Sequence, residues 1–492
     1  MNSLSRYSLF ARRTSTIAIS LVSALATAVS AFAVETLVQI SSDTYTNASS
    51  QHATQVEPDT FAFGSTIVAA AQTGRFFDGG SSNIRFSTST NGGASWVRGD
   101  LPGITKYFGS GPYDRVSDPA VAYDAKHNVW MISTLPLIET PSVSGVAVLT
   151  SRSTDGGLTW GNPVVVTNIG DVDKNWIACD NTPSSPFYGN CYTQWDEFSD
   201  GDRIYMSTST DGGLTWGPRL KTANNATGLG GQPVVQPNGT VIVPVANANE
   251  TALLAFRSTN GGASWSSTVT IASTPDHAVA GNLRTGPLPS AEIDGAGKVF
   301  VVWQDCRFRR GCKSNDIVMS TSTDGLTWTS PVRIPIDNVS SKVDHFIPGL
   351  AVDRATSGNT ANLALAYYYY PNTNCNASTC QLYAGYISST DGGTNWSAPT
   401  PLAGPMSLSW IADTSQGRMV GDYISTSFIG NTPFPAITVA TAPAGSVFNE
   451  AIYTVSGLTP VAGSFVVTAG TDHPIPDAAA DHAARNAPFT TR

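Results

Sequence analysis

Five arginines, Arg75, Arg115, Arg284, Arg307 and Arg418, lie far apart in a chain whose 27 Lys and Arg are outnumbered by 36 Asp and Glu. Most stand close to other groups that carry charge or a flat ring. Arg75 precedes Asp78, Arg115 sits in Asp114-Arg115-Val116-Ser117-Asp118, Arg307 follows Trp303-Gln304-Asp305, and Arg418 comes just before Asp422-Tyr423. Guanidinium groups that converge on one point grip a carboxylate or sulfate through paired hydrogen bonds. The plainer alternative is that each Arg ties itself to a neighbouring Asp. Trp176, Trp303 and Tyr423 offer flat faces to a sugar ring, a use that competes with core packing. His345 is a candidate base or a core histidine. Which reading applies depends on the elements that carry these residues.

Those elements are announced by a repeat. STNGGASW occurs at Ser89–Trp96 and Ser258–Trp265, STDGGLTW at Ser153–Trp160 and Ser209–Trp216, STDGLTW at Ser322–Trp328 and STDGGTNW at Ser389–Trp396. The closing tryptophans, at 96, 160, 216, 265, 328 and 396, are 49 to 68 residues apart. That spacing suits four short strands with their loops. β-rich runs such as DRIYMSTST and TALLAFRST lead straight into the motif, and hairpin patterns such as PSAEIDGAGKVFVVWQD lie upstream. No long amphipathic helix interrupts them. Four-stranded units repeated around an axis make an all-β, β-propeller fold. The motif is then the turn between third and fourth strands. Its Asp or Asn accepts turn N–H groups, its Gly supplies positive φ and its Trp packs on the sheet. The acidic residue is read as structural, not catalytic.

The pattern S-x-D-x-G-x-T-W resembles the Asp-box, or BNR, repeat of bacterial sialidases and their relatives. Asn at 91 and 260, and the missing Gly in Ser322–Trp328, are mild departures. Residues 417–456 read as one more set of strands, and Thr36–Ser42 as the outer strand that closes it, so seven blades are expected, with six as the alternative. The resemblance places a ligand pocket on the face opposite the boxes. There it implies Arg115, Arg284 and Arg418 as holders of a sugar carboxylate, Tyr423 as nucleophile, Glu292 as its activator and Asp118 as acid/base. Arg75, Trp176, Arg307, His345 and Asp422 are further substrate contacts on that face. The Arg-Ile-Pro motif of sialidases is absent near the first blade. Asp-box propellers also include proteins that bind without catalysis, so the fold alone does not decide the function.

The rest of the chain bounds the setting. Arg6, Arg12 and Arg13 precede an apolar run ending Ala31-Phe32-Ala33, which reads as a signal peptide over residues 1–33 and a secreted or periplasmic protein. The propeller should span 34–460, with 461–492 a loose Ala- and Pro-rich tail. Six cysteines fall as neighbours, Cys179 with Cys191, Cys306 with Cys312 and Cys375 with Cys380, the simplest of fifteen pairings. The second and third of these disulfides would each staple a loop on the pocket face. A net charge of −9 argues against nucleic acid. No stretch of the mature chain suits a membrane span, and no motif suggests a metal or cofactor. The partner expected is an acidic glycan, met by a monomer. Three functions stay open: a sialidase-like hydrolase, a glycan- or protein-binding propeller, and a uronic-acid lyase. A free Arg trio beside a Tyr–carboxylate pair marks the first. Arginines locked in Asp pairs mark the second, and His345 beside Tyr423 and Arg418 marks the third.

Overall fold

Each strand run that leads into a box is the third strand of a four-stranded antiparallel meander in the computed structural model, which describes residue 1 and residues 36–467. Sheet I comprises Gln51–Phe63, Thr66–Arg75, Ser81–Ser89 and Val97–Asp100; sheet II comprises Arg115–Asp124, Val129–Ile138, Val148–Ser153 and Val164–Thr167. A single pairing of Ser81, at the start of the third strand of sheet I, with Val116 of the first strand of sheet II joins the two. Sheet III is Val172–Cys179, Cys191–Glu197, Arg203–Ser209 and Leu220–Lys221, and sheet IV is Val234–Val235, Val241–Ala246, Ala252–Ser258 and Val269–Ser273. Sheet V is Ser290–Ile293, Val299–Asp305, Asp316–Ser322 and Val332–Arg333, and sheet VI is Asp344–Val352, Leu363–Tyr370, Gln381–Ser389 and Thr400–Ser407.

The last unit differs. Sheet VII takes Ser425–Ile429, Thr432–Ala440 and Glu450–Ser456 from one end of the described chain and Thr36–Gln39 from the other, with Thr36 opposite Ser456 and Gln39 opposite Tyr453. Here no turn links third strand to fourth, because the fourth strand precedes the whole array. Six boxes and seven four-stranded units are therefore consistent.

The middle strands are apolar on both faces because each sheet packs between two others. Along Val299–Asp305, Val299, Val301 and Trp303 join one core cluster with sheet IV, while Phe300 and Val302 join another with sheet VI. Strand periodicity of two thus feeds two cores from one segment. Trp303, a sugar-stacking candidate by sequence, is wholly buried there and donates its indole N–H to Asp305 at 3.0 Å.

The boxes act between sheets as well as within them. In Ser153–Trp160 the Asp155 carboxylate accepts the backbone N–H groups of Leu158 (3.0 Å) and Thr159 (2.9 Å). Gly157, at φ +82°, lies so close to sheet I that a Cβ would stand 2.7 Å from Val68, and Thr88 of sheet I donates to its carbonyl at 2.6 Å. The same position in the first box, Gly93, abuts Phe434 of sheet VII. Asn91 and Asn260 keep the device, their side-chain carbonyls accepting the N–H of Ser95 and Ser264 at 3.0 Å.

The three disulfides pair neighbours as expected, and each stays within one sheet unit. Cys179 and Cys191 face each other across the first two strands of sheet III. Cys306 bonds Cys312 in the loop between the second and third strands of sheet V, where Cys312 takes a positive φ of 51°. Cys375 bonds Cys380 in the corresponding loop of sheet VI, and Cys380 is buried in the core cluster shared with sheet VII. Among the described residues no helix is long and apolar enough to cross a membrane. The leader at 1–33 lies outside them, apart from Met1. So does most of the 461–492 segment. Within its described part, Phe465–Val466 pairs with Asn395–Trp396 of the last box, so those residues are held and not loose.

Candidate functional site

A recurrent irregularity in the first strands builds the site. Register breaks between Val56 and Asp59, Ser117 and Ala120, Asp173 and Trp176, and Phe346 and Gly349. Inside these bulges Glu57, Asp118, Lys174 and Ile347 have positive φ, of 54°, 47°, 49° and 50°. Positive φ is costly for residues with a Cβ, and bulges commonly re-aim side chains at functional sites. Three of the four precede proline, in Glu57-Pro58, Asp118-Pro119 and Ile347-Pro348.

The bulges of sheets I, II and III bring charge together. Lys174 reaches Asp118 at 3.4 Å and Glu57 at 4.0 Å, and makes a closer ion pair with Asp422. Arg284 closes on the same Asp422 carboxylate. Burial would raise the Asp422 carboxyl, but Arg284 and Lys174 together hold it below the usual range. Burial would likewise lower the Lys174 ammonium, and Asp118, Asp422 and Glu57 instead push it up. Glu57 is raised to about 8 by burial and by the Asp118 charge, and Gln72 donates to it. Arg75 lies within the field of this knot, wholly enclosed, donating to the Gly80 carbonyl at 2.9 Å.

Beside the knot opens a cavity of about 340 Å³. Its charged lining is Asp171, Asp173, Asp196, Asp202, Glu250 and Asp422 against Lys174 and Arg284. Asp196 faces Asp173 across sheet III, is 3% exposed, and its Oδ1 accepts no hydrogen bond. Burial, then the charges of Asp173 and Asp202, pushes its carboxyl well above the ordinary value. Phe198, 41% exposed, and Leu229, Leu283 and Leu288 supply apolar wall. A smaller cavity, about 40 Å³, lies further along the first strands and takes lining residues from all seven, among them Asp59, Val121, Trp176, Val234, Glu292, Leu350 and Ser425.

The expected site is thus partly assembled and partly dispersed. Asp118, Arg284, Asp422 and Arg75 meet at the knot. Arg418 is tied to this end through its backbone, which accepts the Arg284 N–H at 2.7 Å, while its guanidinium donates to the Ile411 carbonyl at 2.6 Å. Tyr423 is buried, donates its hydroxyl to the Pro119 carbonyl at 3.1 Å and meets Trp176 edge-on at 5.0 Å. Burial, then the Glu57 and Asp118 charges, pushes that phenol well up. The carboxylates around Tyr423 are Glu57, Asp118, Asp59 and Asp422; Glu292 instead pairs with Arg354 at 3.5 Å in the smaller cavity.

Three expected contacts stand elsewhere. Arg115 is gripped by Asp78 and by Glu139 (3.0 Å) and lies over Phe76. Arg307 folds back on Asp305 at 2.7 Å. His345 is buried against Tyr367, and burial lowers it to about 4. It joins Asp316 and Asp337, whose carboxylates already hold Arg309 and Arg333. Neither Arg418 nor Tyr423 is among the groups that act on it. The stapled loops also fall short of the expected pocket role. Neither Cys312 nor Cys380 lines either cavity, and nor do their partners Cys306 and Cys375. Cys380 instead packs beside Gly281, where a Cβ would stand 3.2 Å from its Sγ, so that disulfide supports the segment leading to Arg284 from behind. Sequence reasoning gave neither Glu57 nor Lys174 a role; Glu57-Pro58 carried the X-Pro signal of the bulge, and Lys174, which precedes Asn175, carried none. Asp196, Asp202 and Glu250 carried none.

Residues 146–349 match the family of BNR repeat-like domains. No curated protein matches the chain significantly. Similar solved structures include a leech intramolecular trans-sialidase (13% identity, TM-score 0.43, 65% of each chain covered). A Dyadobacter fermentans protein of unknown function is similar at 14% identity and TM-score 0.46, over 72% of this chain and 98% of that one. A Trypanosoma rangeli sialidase is similar at 12% identity and TM-score 0.43, over 86% of this chain and 58% of that one. The chain thus spans less than two thirds of the leech and trypanosomal proteins, 65% of the one and 58% of the other.

Proposed function

We propose that the chain is an exported, seven-bladed β-propeller that binds a glycan in the large cavity at one end of its axis. Ring closure is supported by the boxes. In each of the six boxes a glycine (Gly93, Gly157, Gly213, Gly262, Gly325 or Gly393) presses on the preceding sheet, that of sheet I pressing on sheet VII. It is also supported by the mixed sheet VII and by a small cavity that all seven first strands line. A glycan is supported by a concave site of pocket size with apolar wall and many hydrogen-bond acceptors.

One observation carries binding over sialoside hydrolysis: the arginines proposed for a sugar carboxylate are engaged by the protein itself. Arg115 and Arg284 are closed on carboxylates, and Arg418 on a backbone carbonyl. The tyrosine hydroxyl is likewise spent on Pro119. The lyase reading lacks its constellation, since His345 lies among Asp337, Arg309 and Arg333. A hydrolase remains favoured by a different pair: Asp173 and Asp196, directly opposite on one cavity wall, resemble the two carboxyl groups most glycosidases use.

The test is a fluorogenic sialoside assay of the mature protein beside a glycan-binding array. The expected result is no sialoside turnover, with glycan retention that Phe198→Ala abolishes. Sialoside turnover that disappears in Arg418→Ala overturns the binding reading.

A further inference from the structure

We propose that the large cavity selects a positively charged sugar, of the amino-sugar class, an inference that rests on the glycan-binding reading above. The argument begins with charge. Lys174 and Arg284, the two cations of the lining, both close on Asp422. Asp171, Asp173, Asp196 and Asp202 remain on the wall with no Lys or Arg of the lining assigned to them by an ion pair, and Glu250 adds a further carboxyl group. Such a surface repels a carboxylated sugar and attracts a cation.

The second observation is Asp196 itself. It is almost wholly buried on the cavity wall, and its Oδ1 has no donor. A buried acceptor without a partner costs free energy that a ligand N–H restores. The groups facing it are Asp173, Asp202, Lys174 and Asp118, so three of four repel its negative charge. A ligand ammonium would relieve that repulsion.

A bare metal ion fits less well. Calcium needs six to eight oxygens within about 2.6 Å. Among the described residues, the one group of three carboxylate or imidazole donors lying within 4.8 Å of one another is Asp316, Asp337 and His345, outside this cavity. Acceptors spread around a wall suit donors spread around a ring. Phe198, exposed on that wall, offers the flat apolar face on which the C–H side of a pyranose stacks. A protonated glucosamine unit carries both features.

Calorimetric titration with chitosan trimer, its N-acetylated counterpart, 3′-sialyllactose and calcium chloride tests this. The expected result is that the amino trimer binds about tenfold or more tightly than the acetylated one, about 1.4 kcal/mol. The preference should grow from pH 5 to 6 as Asp173, raised to about 6 by burial, ionises while the ligand amine keeps its proton. Asp196→Asn should remove most of it, with Asp202→Asn as the second variant and thermal unfolding as the check on folding. Equal binding of both trimers, or tighter binding of sialyllactose, overturns the inference and leaves glycan binding standing. Calcium binding with no sugar binding overturns both.

Discussion

The two ends of this molecule handle acidic side chains in opposite ways. At the box end, Asp155 sits exposed, and every partner it has lies within four residues. Burial pushes its carboxyl up, but donors from Thr159, Ser153 and Leu158 together outweigh it and hold it down to about 2. At the cavity end, Asp196, Glu57 and Asp59 are buried; the charges acting on Glu57 and Asp59 come from other sheets and their connectors, while Asp196 meets Asp173 and Lys174 of the neighbouring strand and Asp118 of sheet II. Burial lifts Asp59 to about 7 and Glu57 to about 8. A carboxylate satisfied locally is a folding device that any sheet can reuse. One whose environment is supplied by distant strands is available to a ligand, because the protein has not fully met its needs.

Removing the cation at the centre of the knot is the strongest way to break this contrast. Lys174→Met leaves Asp422, Asp118 and Glu57 buried with less compensation, and urea unfolding should register a loss of about 3–5 kcal/mol. The corresponding loss at an exposed box carboxylate should be several times smaller; equality of the two would erase the distinction.

The pH profile comes next. Asp59 has a raised folded-state value, so its contribution to stability is full below about 4 and is lost as pH climbs through about 7. Asp59→Asn retains a carbonyl for the Val121 N–H, which now lies at 2.6 Å, and should flatten that decline. The gain relative to the parent above pH 7 should be about 2–4 kcal/mol, read from denaturation midpoints at pH 5 and 8. A parallel profile for parent and variant would show that the carboxyl is solvated as in the unfolded chain.

At the box end the larger effect belongs to glycine, not aspartate. Gly157→Val adds a branched side chain at φ +82° against Val68, for an expected loss of about 1–3 kcal/mol in thermal unfolding. Gly64, also at positive φ, faces open space, and its substitution should cost less. Asp155→Ala should cost about 1 kcal/mol at pH 7. Asp155→Asn should be close to neutral there, since Asn91 and Asn260 already do this work. Because the folded value of Asp155 is depressed, its contribution is present above about 4 and disappears as pH falls through about 2. The Asn variant should lack that acid limb.

Legibility in the sequence followed the range of the interactions. The box, its hairpin position, the seventh set of strands and the three neighbouring disulfides were readable because each is encoded within a few residues or repeats at a fixed interval. The bonds of Cys312 and Cys380 were legible as pairings, but their place outside the cavity walls was not, since spacing fixes a partner and says nothing of which way a loop leans. The gathering of Asp118, Arg284 and Asp422 was anticipated as a concentration at one end. Its chemistry was not, since a guanidinium that meets a ligand and one that meets Asp422 look alike in sequence. Arg307 took the local alternative and closed on Asp305, while Arg115 closed on Asp78 and Glu139, acids 37 and 24 residues away, and not on the adjoining Asp114 or Asp118. Glu292 and His345 were assigned by strand position, but bulges in the first strands re-aimed Glu57, Asp118 and Lys174 instead.

Sequence alone determined an all-β chain of repeated four-stranded units with six turns that satisfy themselves, and it left open whether a seventh unit without such a turn follows them. Short-range hydrogen bonds and strand periodicity need no knowledge of what lies opposite. Tertiary structure alone decided which charges neutralise each other and which are left facing the cavity. Asp422 gained both Lys174 and Arg284, while Asp196 gained only other carboxylates and one shared lysine, because burial and through-space distance, not spacing along the chain, set the energy of a charge.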